Sequence, residues 1–313
     1  MFSIVFPGQG SQKIGMVKEF YEKYDLVKRL FKDADEILNV PITKIIFEGP
    51  ENELNLTENT QPAIFLASYC IFEIIKKEFG YDFKKCKYFA GHSLGEYSAL
   101  ACVGSINFED TLKILQKRGK FMQEAVPSGE GAMLAVLGMA SKELDKILET
   151  NNEKYKCFIA NDNSNLQVVV SGLKKDINLL SDDLNNKKIK NLKLNVSAPF
   201  HCKYMKIASE KMSSYINDLK MNDLEKPIIS NVTANETIST PSVTFKSGGS
   251  AITNSPTYTN TSGNTWTAVY TIHSSDTDGS VTSRTATNGD KKSVQGLRER
   301  LGIVDELKVI LKE

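Results

Sequence analysis

Long apolar runs, a signal peptide and an excess of one charge are all absent from this 313-residue sequence. No run approaches the roughly 18 apolar residues that a membrane-spanning helix needs. The N-terminal residues lack the basic region and the long apolar stretch of a secretory signal. The net charge of +1 provides no basic footprint for nucleic acid. The sequence therefore predicts a cytoplasmic protein that binds neither membrane nor nucleic acid.

Cysteine and histidine are scarce, with five and three residues respectively. The cysteines are Cys70, Cys86, Cys102, Cys157 and Cys202. They are scattered and form no CxxC pair, so the sequence predicts reduced thiols and neither a disulfide framework nor a metal site. Cys202 directly follows His201, which raises a Cys–His pair as an alternative. Neighbouring side chains on an extended chain point opposite ways, and this disfavours the pair.

The segment Gly91-His92-Ser93-Leu94-Gly95 carries the strongest chemical signal. It follows an apolar segment, 87–90, that predicts a buried strand, and it precedes a segment with helical spacing, 96–102. Strand, tight turn and helix are the setting of a nucleophile elbow. Small residues flank the serine there because larger ones would collide with the strand and the helix. Ser93 is the candidate nucleophile, and an incidental glycine-rich turn is the alternative.

A serine hydroxyl needs a base at neutral pH, and the three histidines are the candidates. His92 lies inside the turn, which is expected to point it away from the Ser93 side chain. His273 lies in a segment of different composition. His201 follows a predicted strand, at the end of Ser-Ala-Pro-Phe-His. Elimination favours His201 as the base, with a surface or packed histidine as the alternative.

Two further segments could bind negatively charged groups. The loop 7–12, Pro-Gly-Gln-Gly-Ser-Gln, follows a predicted strand at 2–6. Its backbone N–H groups can bind an oxyanion, although a plain strand-to-helix turn explains the glycines equally well. Arg118 lies on a predicted helix, 109–124. A buried arginine there would clamp a carboxylate, whereas most helical arginines face solvent.

Two earlier segments, 17–37 and 60–79, also have helical spacing. In the second, Thr60 is the predicted cap, with Pro62 in the first turn. Apolar residues at helical spacing predict one buried stripe on this helix. They are Ile64, Ala67, Ile71, Ile74 and Ile75.

The order of predicted elements indicates an α/β fold class with an insertion. Residues 1–130 and 197–236 form the predicted large domain, α/β-hydrolase-like with a parallel sheet and the nucleophile elbow. Residues 131–196 have the order βαββαβ, that of a ferredoxin-like small subdomain. Residues 237–293 are rich in Thr, Ser, Asn and Gly, contain no Leu or Glu, and predict a β-like segment. Residues 294–313 predict a helical tail.

Together these motifs resemble the malonyl-CoA:acyl carrier protein transacylases and the acyltransferase domains of fatty acid and polyketide synthases. The resemblance covers residues 1–236 and departs after them, where the family's further glutamine and Gly-Pro-Gly turn have no match. The matching segments are 6–12, 60–63, 91–97, 118–119, 160–163, 170–172, 197–201 and 227–234.

The resemblance implies transfer of a malonyl group from malonyl-CoA to the phosphopantetheine thiol of acyl carrier protein, in fatty acid biosynthesis. It implies Ser93 as nucleophile and His201 as base. The backbone N–H groups of Gln9 and Leu94 would form the oxyanion hole, and Arg118 would bind the malonyl carboxylate. It implies no metal, no cofactor besides the coenzyme A thioester that is the substrate, and a monomer.

Three alternatives stay open. A serine thioesterase or hydrolase would use the same elbow, but it needs an acid between the serine and the histidine in chain order. The candidate acids in that interval all lie inside the inserted subdomain; they are Asp162, Asp176, Asp182 and Asp183. A catalytically inactive chimera is the alternative raised by the composition of 237–313. Transfer of acetyl or methylmalonyl groups is disfavoured by Arg118 and Phe200 respectively.

Overall fold

The computed structural model describes residues 2–80, 83–127, 129–194, 196, 198–232 and 235–237, and the backbone of four strands between 241 and 286. The helical tail predicted at 294–313 and His273 lie outside the described residues.

The described chain contains both strands and helices, with five α-helices in succession between the first two strands. The strands up to residue 237 are β1 (Phe2–Phe6), β2 (Cys86–Gly91), β3 (Gly131–Leu137), β4 (Cys157–Ser164), β5 (Gln167–Leu173), β6 (Asn191–Lys193), β7 (Ile228–Ile229) and β8 (Glu236–Thr237). The helices are α1 (Lys18–Lys23), α2 (Asp25–Leu38), α3 (Ile42–Glu48), α4 (Glu51–Leu54), α5 (Thr57–Lys77), α6 (Leu94–Cys102), α7 (Phe108–Glu124), α8 (Ser141–Thr150), α9 (Lys174–Asn186) and α10 (Lys206–Asn217).

The chain divides into two compact units. The first contains the described parts of Met1–Gln116 and of the chain from Tyr215 onward, and the second contains those of Lys117–Ser214. The domain boundaries at 131 and 196 given by the sequence pattern stay a prediction.

A sheet of order β1-β2-β7-β8 forms the centre of the first unit. β1, β2 and β7 are parallel, and β8 returns antiparallel to β7. Parallel strands carry helices on their faces, so both sides of the strands are apolar. Phe6 and Phe89 stack with ring centroids 6.3 Å apart, and Phe72 of α5 packs on both rings. The parallel sheet predicted for the large domain is confirmed.

The helices of the first unit depart from prediction in two places. The helix predicted at 17–37 is two helices, because Tyr24 adopts an extended conformation between α1 and α2. α5 begins at Thr57, one turn before the predicted cap, so Thr60 and Pro62 lie inside the helix. The stripe predicted on α5 is only partly buried, since Ile71 and Ile75 are exposed.

The second unit is built on an antiparallel sheet of order β4-β5-β3-β6. Side chains alternate between its faces, because successive residues of a strand point to opposite sides. On one face, Leu134 and Val136 pack in a core with residues of α8 and α9. On the other face, Met133 and Ala135 pack with Ala198 and Phe200. Phe200 is the residue immediately before His201, so this second core supports the segment that carries the candidate base.

Four further strands, described as backbone, form an antiparallel sheet of order β12-β11-β10-β9. They are β9 (Pro241–Gly248), β10 (Ala251–Tyr258), β11 (Trp266–Thr271) and β12 (Thr282–Ala286). Within the part of the chain that the structure describes, no helix combines the length and the apolar character needed to cross a bilayer.

Candidate active site

Ser93 occupies a strained turn between β2 and α6. β2 ends at Gly91, and α6 begins at Leu94, so the turn is two residues long. Ser93 has φ 53° and ψ −107°, a left-handed backbone that residues with a side chain rarely adopt. Strain of this kind persists only where the surroundings hold it, and it is concentrated at functional sites. The structure thus provides the strand, tight turn and helix that a nucleophile elbow requires.

The glycines on either side of Ser93 are required by space. A Cβ on Gly91 would overlap the backbone of Gly95, in the first turn of α6. A Cβ on Gly95 would overlap the Phe6 carbonyl oxygen of β1 and would lie 2.9 Å from the Pro7 carbonyl oxygen. Both collisions are with backbone, which cannot rotate away. The predicted reason for the small residues, collision with the neighbouring strand and helix, is confirmed.

The loop that carries Gln9 lies directly beside the elbow. Parallel pairing sets Phe6 opposite Gly91, and the His92 N–H donates to the Phe6 carbonyl at 3.1 Å. A Cβ on Gly8 would overlap the His92 ring and would lie 2.8 Å from the His92 carbonyl oxygen. The two segments therefore touch through backbone, as segments at the carboxyl ends of neighbouring parallel strands do.

The loop 7–12 is braced by its own polar side chains. The Ser11 hydroxyl donates to the Gly8 carbonyl, and the Gly10 N–H donates to Gln12 Oε1, both at 2.8 Å. Gln12 Nε2 donates in turn to Asn55 Oδ1 at 2.8 Å. These bonds fix the backbone on either side of Gln9. The structure thus brings Ser93, Leu94 and the Gln9 loop together within the first unit.

Leu94 is buried and is the first residue of α6. The N–H groups of a helix's first turn have no acceptor within the helix, and they carry the positive end of its dipole. The second N–H donor proposed for the oxyanion, Gln9, is half-buried in the neighbouring loop. An oxyanion formed on a Ser93 ester would develop beside donors of this type.

Asn231 is a residue of this region for which the sequence pattern predicted no role. Its Oδ1 accepts from the Ser93 N–H at 2.7 Å, and its Nδ2 donates to the Gly91 carbonyl at 2.5 Å. Its own N–H donates to Glu96 Oε2 at 3.2 Å. The signal available in the sequence was its position two residues after a short apolar strand, which a parallel sheet brings to the same edge as the elbow.

Arg118 and His201 belong to the second unit. Arg118 is half-buried on α7. His201 is exposed and has a positive φ of 57°, a sign of φ that Ser93 shares. The segment before it is fixed, because the buried Ser171 hydroxyl donates to the Phe200 carbonyl at 2.5 Å. Pro199 also packs so closely on Gly131 that no Cβ would fit there. The backbone that presents His201 is therefore well supported.

Cys202 does not have the properties of a competing nucleophile. Burial raises the pKa of its thiol to about 11, so the thiol is protonated at neutral pH. Its Sγ donates to the Pro199 carbonyl at 3.1 Å. A structural thiol fits both observations, which supports the sequence argument against a Cys–His pair. Among the described residues, no group of three or more His, Cys, Asp or Glu side chains is arranged to hold a metal ion.

Comparison with known proteins assigns the family. The acyl transferase domain model matches residues 3–268, well over half of the chain. The chain belongs to the acyl transferase domain family. The matched region extends beyond residue 236, where the resemblance of the sequence motifs ends.

Named relatives of the acyl transferase cover about three quarters of its length. It is 43% identical over 235 residues to a malonyl CoA-acyl carrier protein transacylase of Bacillus subtilis, covering 74% of this chain and 73% of the relative. Similar solved structures include the malonyl CoA-acyl carrier protein transacylase of Clostridium perfringens, at 39% identity, with a TM-score of 0.69 and coverage of 75% and 73%. Another is a malonyl-transacylase in complex with a type II polyketide synthase acyl-carrier protein, at 35% identity, with a TM-score of 0.72 and coverage of 76% and 77%.

Proposed function

We propose that this acyl transferase carries a malonyl group from malonyl-CoA to the phosphopantetheine thiol of acyl carrier protein, in fatty acid biosynthesis. The observation that carries the proposal is the left-handed Ser93 on a two-residue strand-to-helix turn, in a chain of the acyl transferase family. The names of the relatives, with malonyl CoA and acyl carrier protein in them, support this pair of substrates.

In the first half-reaction, Ser93 Oγ attacks the thioester carbonyl carbon of malonyl-CoA while His201 accepts the hydroxyl proton. The negative charge that develops on the carbonyl oxygen is stabilised by the backbone N–H groups of Gln9 and Leu94. The carbon–sulfur bond then breaks, and the departing thiolate takes the proton from His201. The products are free coenzyme A and a malonyl ester on Ser93.

The second half-reaction reverses the first with a different thiol. The phosphopantetheine thiol of acyl carrier protein gives its proton to His201 and attacks the ester carbonyl. The same N–H groups stabilise the second oxyanion, and Ser93 leaves with the proton from His201. Every proton and bond in this cycle is accounted for by Ser93, His201 and the two thioesters, so the proposal includes no metal or cofactor.

Arg118 is proposed to bind the free carboxylate of the malonyl group. A guanidinium presents parallel N–H donors that match a carboxylate with two hydrogen bonds. An acetyl group offers those donors no acceptor, which costs free energy wherever water cannot take its place. This difference would favour malonyl over acetyl in the transition state of acyl transfer.

The finer architecture and the cellular setting are parts of the same proposal. The order βαββαβ with sheet order β4-β5-β3-β6 supports a ferredoxin-like subdomain at 131–196. The parallel strands and the elbow support an α/β-hydrolase-like large domain. Five free, scattered cysteines support a reducing compartment such as the cytoplasm. We propose a monomer in which the β-like segment 237–293 replaces part of the C-terminal fold that the family would have there.

The proposal is tested by incubating the protein with malonyl-CoA and measuring its intact mass. We expect one malonyl adduct on the wild-type protein and none on Ser93→Ala, because only the serine hydroxyl forms the ester. Added acyl carrier protein with its phosphopantetheine arm should then remove the adduct and gain the malonyl group.

Other results would replace this function with a different one. An adduct that decays to free malonate at the same rate with and without carrier protein would make the chain a hydrolase. A folded wild-type protein that forms no adduct would make it a catalytically inactive member of the family.

A further inference from the structure

Asn231 is placed beside the elbow by the register of the sheet. β7 pairs in parallel with β2, with Phe89 opposite Ile228 and Ala90 opposite Ile229. Asn231 lies two residues after the end of β7, just as Ser93 lies two residues after the end of β2. Parallel strands bring the segments after their carboxyl ends to one edge of the sheet, so Asn231 reaches the elbow although it lies 138 residues away in sequence.

The two backbone partners of the Asn231 side chain fix which way its amide points. The Ser93 N–H can only donate, so the atom that faces it at 2.7 Å is Oδ1. The Gly91 carbonyl can only accept, so the atom that faces it is Nδ2. One amide thus bridges the backbone on both sides of His92. A side chain without both a donor and an acceptor cannot make this pair of bonds.

The bridge acts on a residue whose conformation is strained. Ser93 has φ 53°, which a residue with a side chain holds only when its neighbours over-determine it. Asn231 is itself held, because its N–H donates to the Glu96 carboxylate, three residues beyond Ser93 on α6. Asn231 is exposed, so its contribution is this set of polar bonds rather than buried apolar area.

We propose that Asn231 is a positioning residue that holds Ser93 in the reactive elbow conformation. Because the Ser93 N–H donates to Asn231 Oδ1, the oxyanion would be bound by the backbone N–H groups of Leu94 and Gln9 instead. This inference rests on the proposed function, since it concerns the same serine. It predicts that loss of the bridge slows attack by Ser93 without weakening the binding of the thioester.

The test compares three variants of the full chain. Asn231→Ala removes both side-chain bonds. Asn231→Asp keeps the shape and an acceptor but, when ionised, loses the donor to Gly91. Asn222→Ala is the matched control, because Asn222 is also an exposed asparagine of the first unit, and its Nδ2 donates to the Gly104 carbonyl at 3.2 Å. Thermal unfolding of each variant checks that it is folded.

Two reagents report on Ser93. Malonyl-CoA measures acylation, with its dependence on concentration separating the rate constant from KM. A fluorophosphonate measures the reactivity of the serine without any recognition of malonyl. We expect both Asn231 variants to lose about 10- to 100-fold in both rate constants, the effect of misplacing a reacting group, with KM unchanged. Asn222→Ala should react like the wild type.

The pH dependence of Asn231→Asp separates positioning from general loosening. A protonated carboxyl has one donor and one acceptor, as the amide has. Its rate relative to wild type should therefore recover as the pH falls from about 6 to about 4, the range in which carboxyl groups begin to protonate. A variant that is slow only because it is less stable would show no such recovery.

The outcomes for the inference and for the proposed function are distinct. Wild-type rates in Asn231→Ala, an equal loss in Asn222→Ala, or a change in KM alone would overturn the positioning role. A wild-type protein that reacts with fluorophosphonate but not with malonyl-CoA would overturn the proposed function, while the fluorophosphonate rates still decide the role of Asn231. A wild type that reacts with neither reagent would overturn both.

Discussion

At the scale of single residues, Arg118 is the side chain expected to set acyl selectivity. Replacing it with alanine should remove the charge-assisted hydrogen bonds proposed for the malonyl carboxylate and should leave binding of an acetyl group untouched. We expect kcat/KM for malonyl-CoA to fall about 10- to 100-fold, the loss that one or two such bonds represent. The ratio of malonyl to acetyl transfer, measured with both thioesters in competition, should fall by the same factor.

Two arginine variants make this experiment specific. Arg118→Lys keeps the positive charge but loses the planar pair of donors, so its selectivity should lie between wild type and Arg118→Ala. Arg29→Ala removes an exposed arginine of α2 and should change nothing. An unchanged malonyl-to-acetyl ratio in Arg118→Ala would mean that another group binds the carboxylate.

The sequence predicts some of these residues because their signals are local. The glycines beside Ser93 identify the elbow in the sequence. Gly91 and Gly95 are required because the backbone of α6 and of β1 leaves no room for a Cβ there. Asn231 has no local signal of its role, because its partners belong to a strand and a turn far away in sequence. The protonation of Cys202 likewise depends on burial, which the sequence alone does not give.

At the scale of elements, we expect that the contact between β1 and α6 leaves no room for a methyl group added at Gly95. In Gly95→Ala the new Cβ would meet the carbonyl oxygens of Phe6 and Pro7, so α6 must move away from β1. Overpacking of this kind costs about 1–3 kcal/mol of the free energy of unfolding. Because Ser93 directly precedes α6, we also expect slower acylation, and urea unfolding together with the malonyl-CoA reaction measures both effects.

Gly80→Ala is the control for the element-scale prediction. Gly80 has φ +59°. Apart from its chain neighbours, no atom of the described residues lies within 4 Å of the position that an added methyl group would take, so alanine there would strain the backbone without a collision. It should cost about 1 kcal/mol and leave acylation unchanged. If Gly95→Ala were as active and as stable as Gly80→Ala, the tight packing of β1 on α6 would not be a requirement of the elbow.

Element types are predicted more reliably than their ends. β1 and the helix at 109–124 were predicted within one residue, because apolar patterning over a whole segment defines them. The start of α5 was predicted wrongly, since Thr60 donates its hydroxyl to the Leu54 and Leu56 carbonyls instead of capping. The break at Tyr24 was also missed, because it interrupts the backbone without interrupting the helical spacing.

At the scale of the whole molecule, the described hydrophobic clusters all lie before residue 229. The cluster around the Phe6 and Phe89 rings ends with Ile228 of β7, and both described clusters of the second unit end before it. Thr237 is buried and pairs with Ile228 at the edge of the central sheet. The α/β class of the fold was predictable because these cores follow from apolar patterning. The change in composition after residue 236 gave no comparable pattern from which to derive packing.

The positions of these cores lead to a prediction about the length of chain that the reaction requires. A chain that ends at Thr237 keeps the central sheet, the three described hydrophobic clusters, Ser93, Asn231, Arg118 and His201. We expect it to unfold at the same temperature as the full chain and to form the malonyl ester at the same rate. Calorimetry and intact-mass kinetics on the two proteins provide the comparison.

A second truncation controls for the loss of the C-terminal residues as such. A chain that ends at Lys226 loses β7. With it go Ile228, which packs in the cluster with Phe6 and Phe89, and Asn231, which bonds to the elbow. Removing one buried isoleucine alone costs about 2–5 kcal/mol, comparable to the whole stability of a marginal domain, so this chain should fail to unfold cooperatively and should not react. If the Thr237 chain behaved like the Lys226 chain, residues after 237 would be part of the catalytic fold.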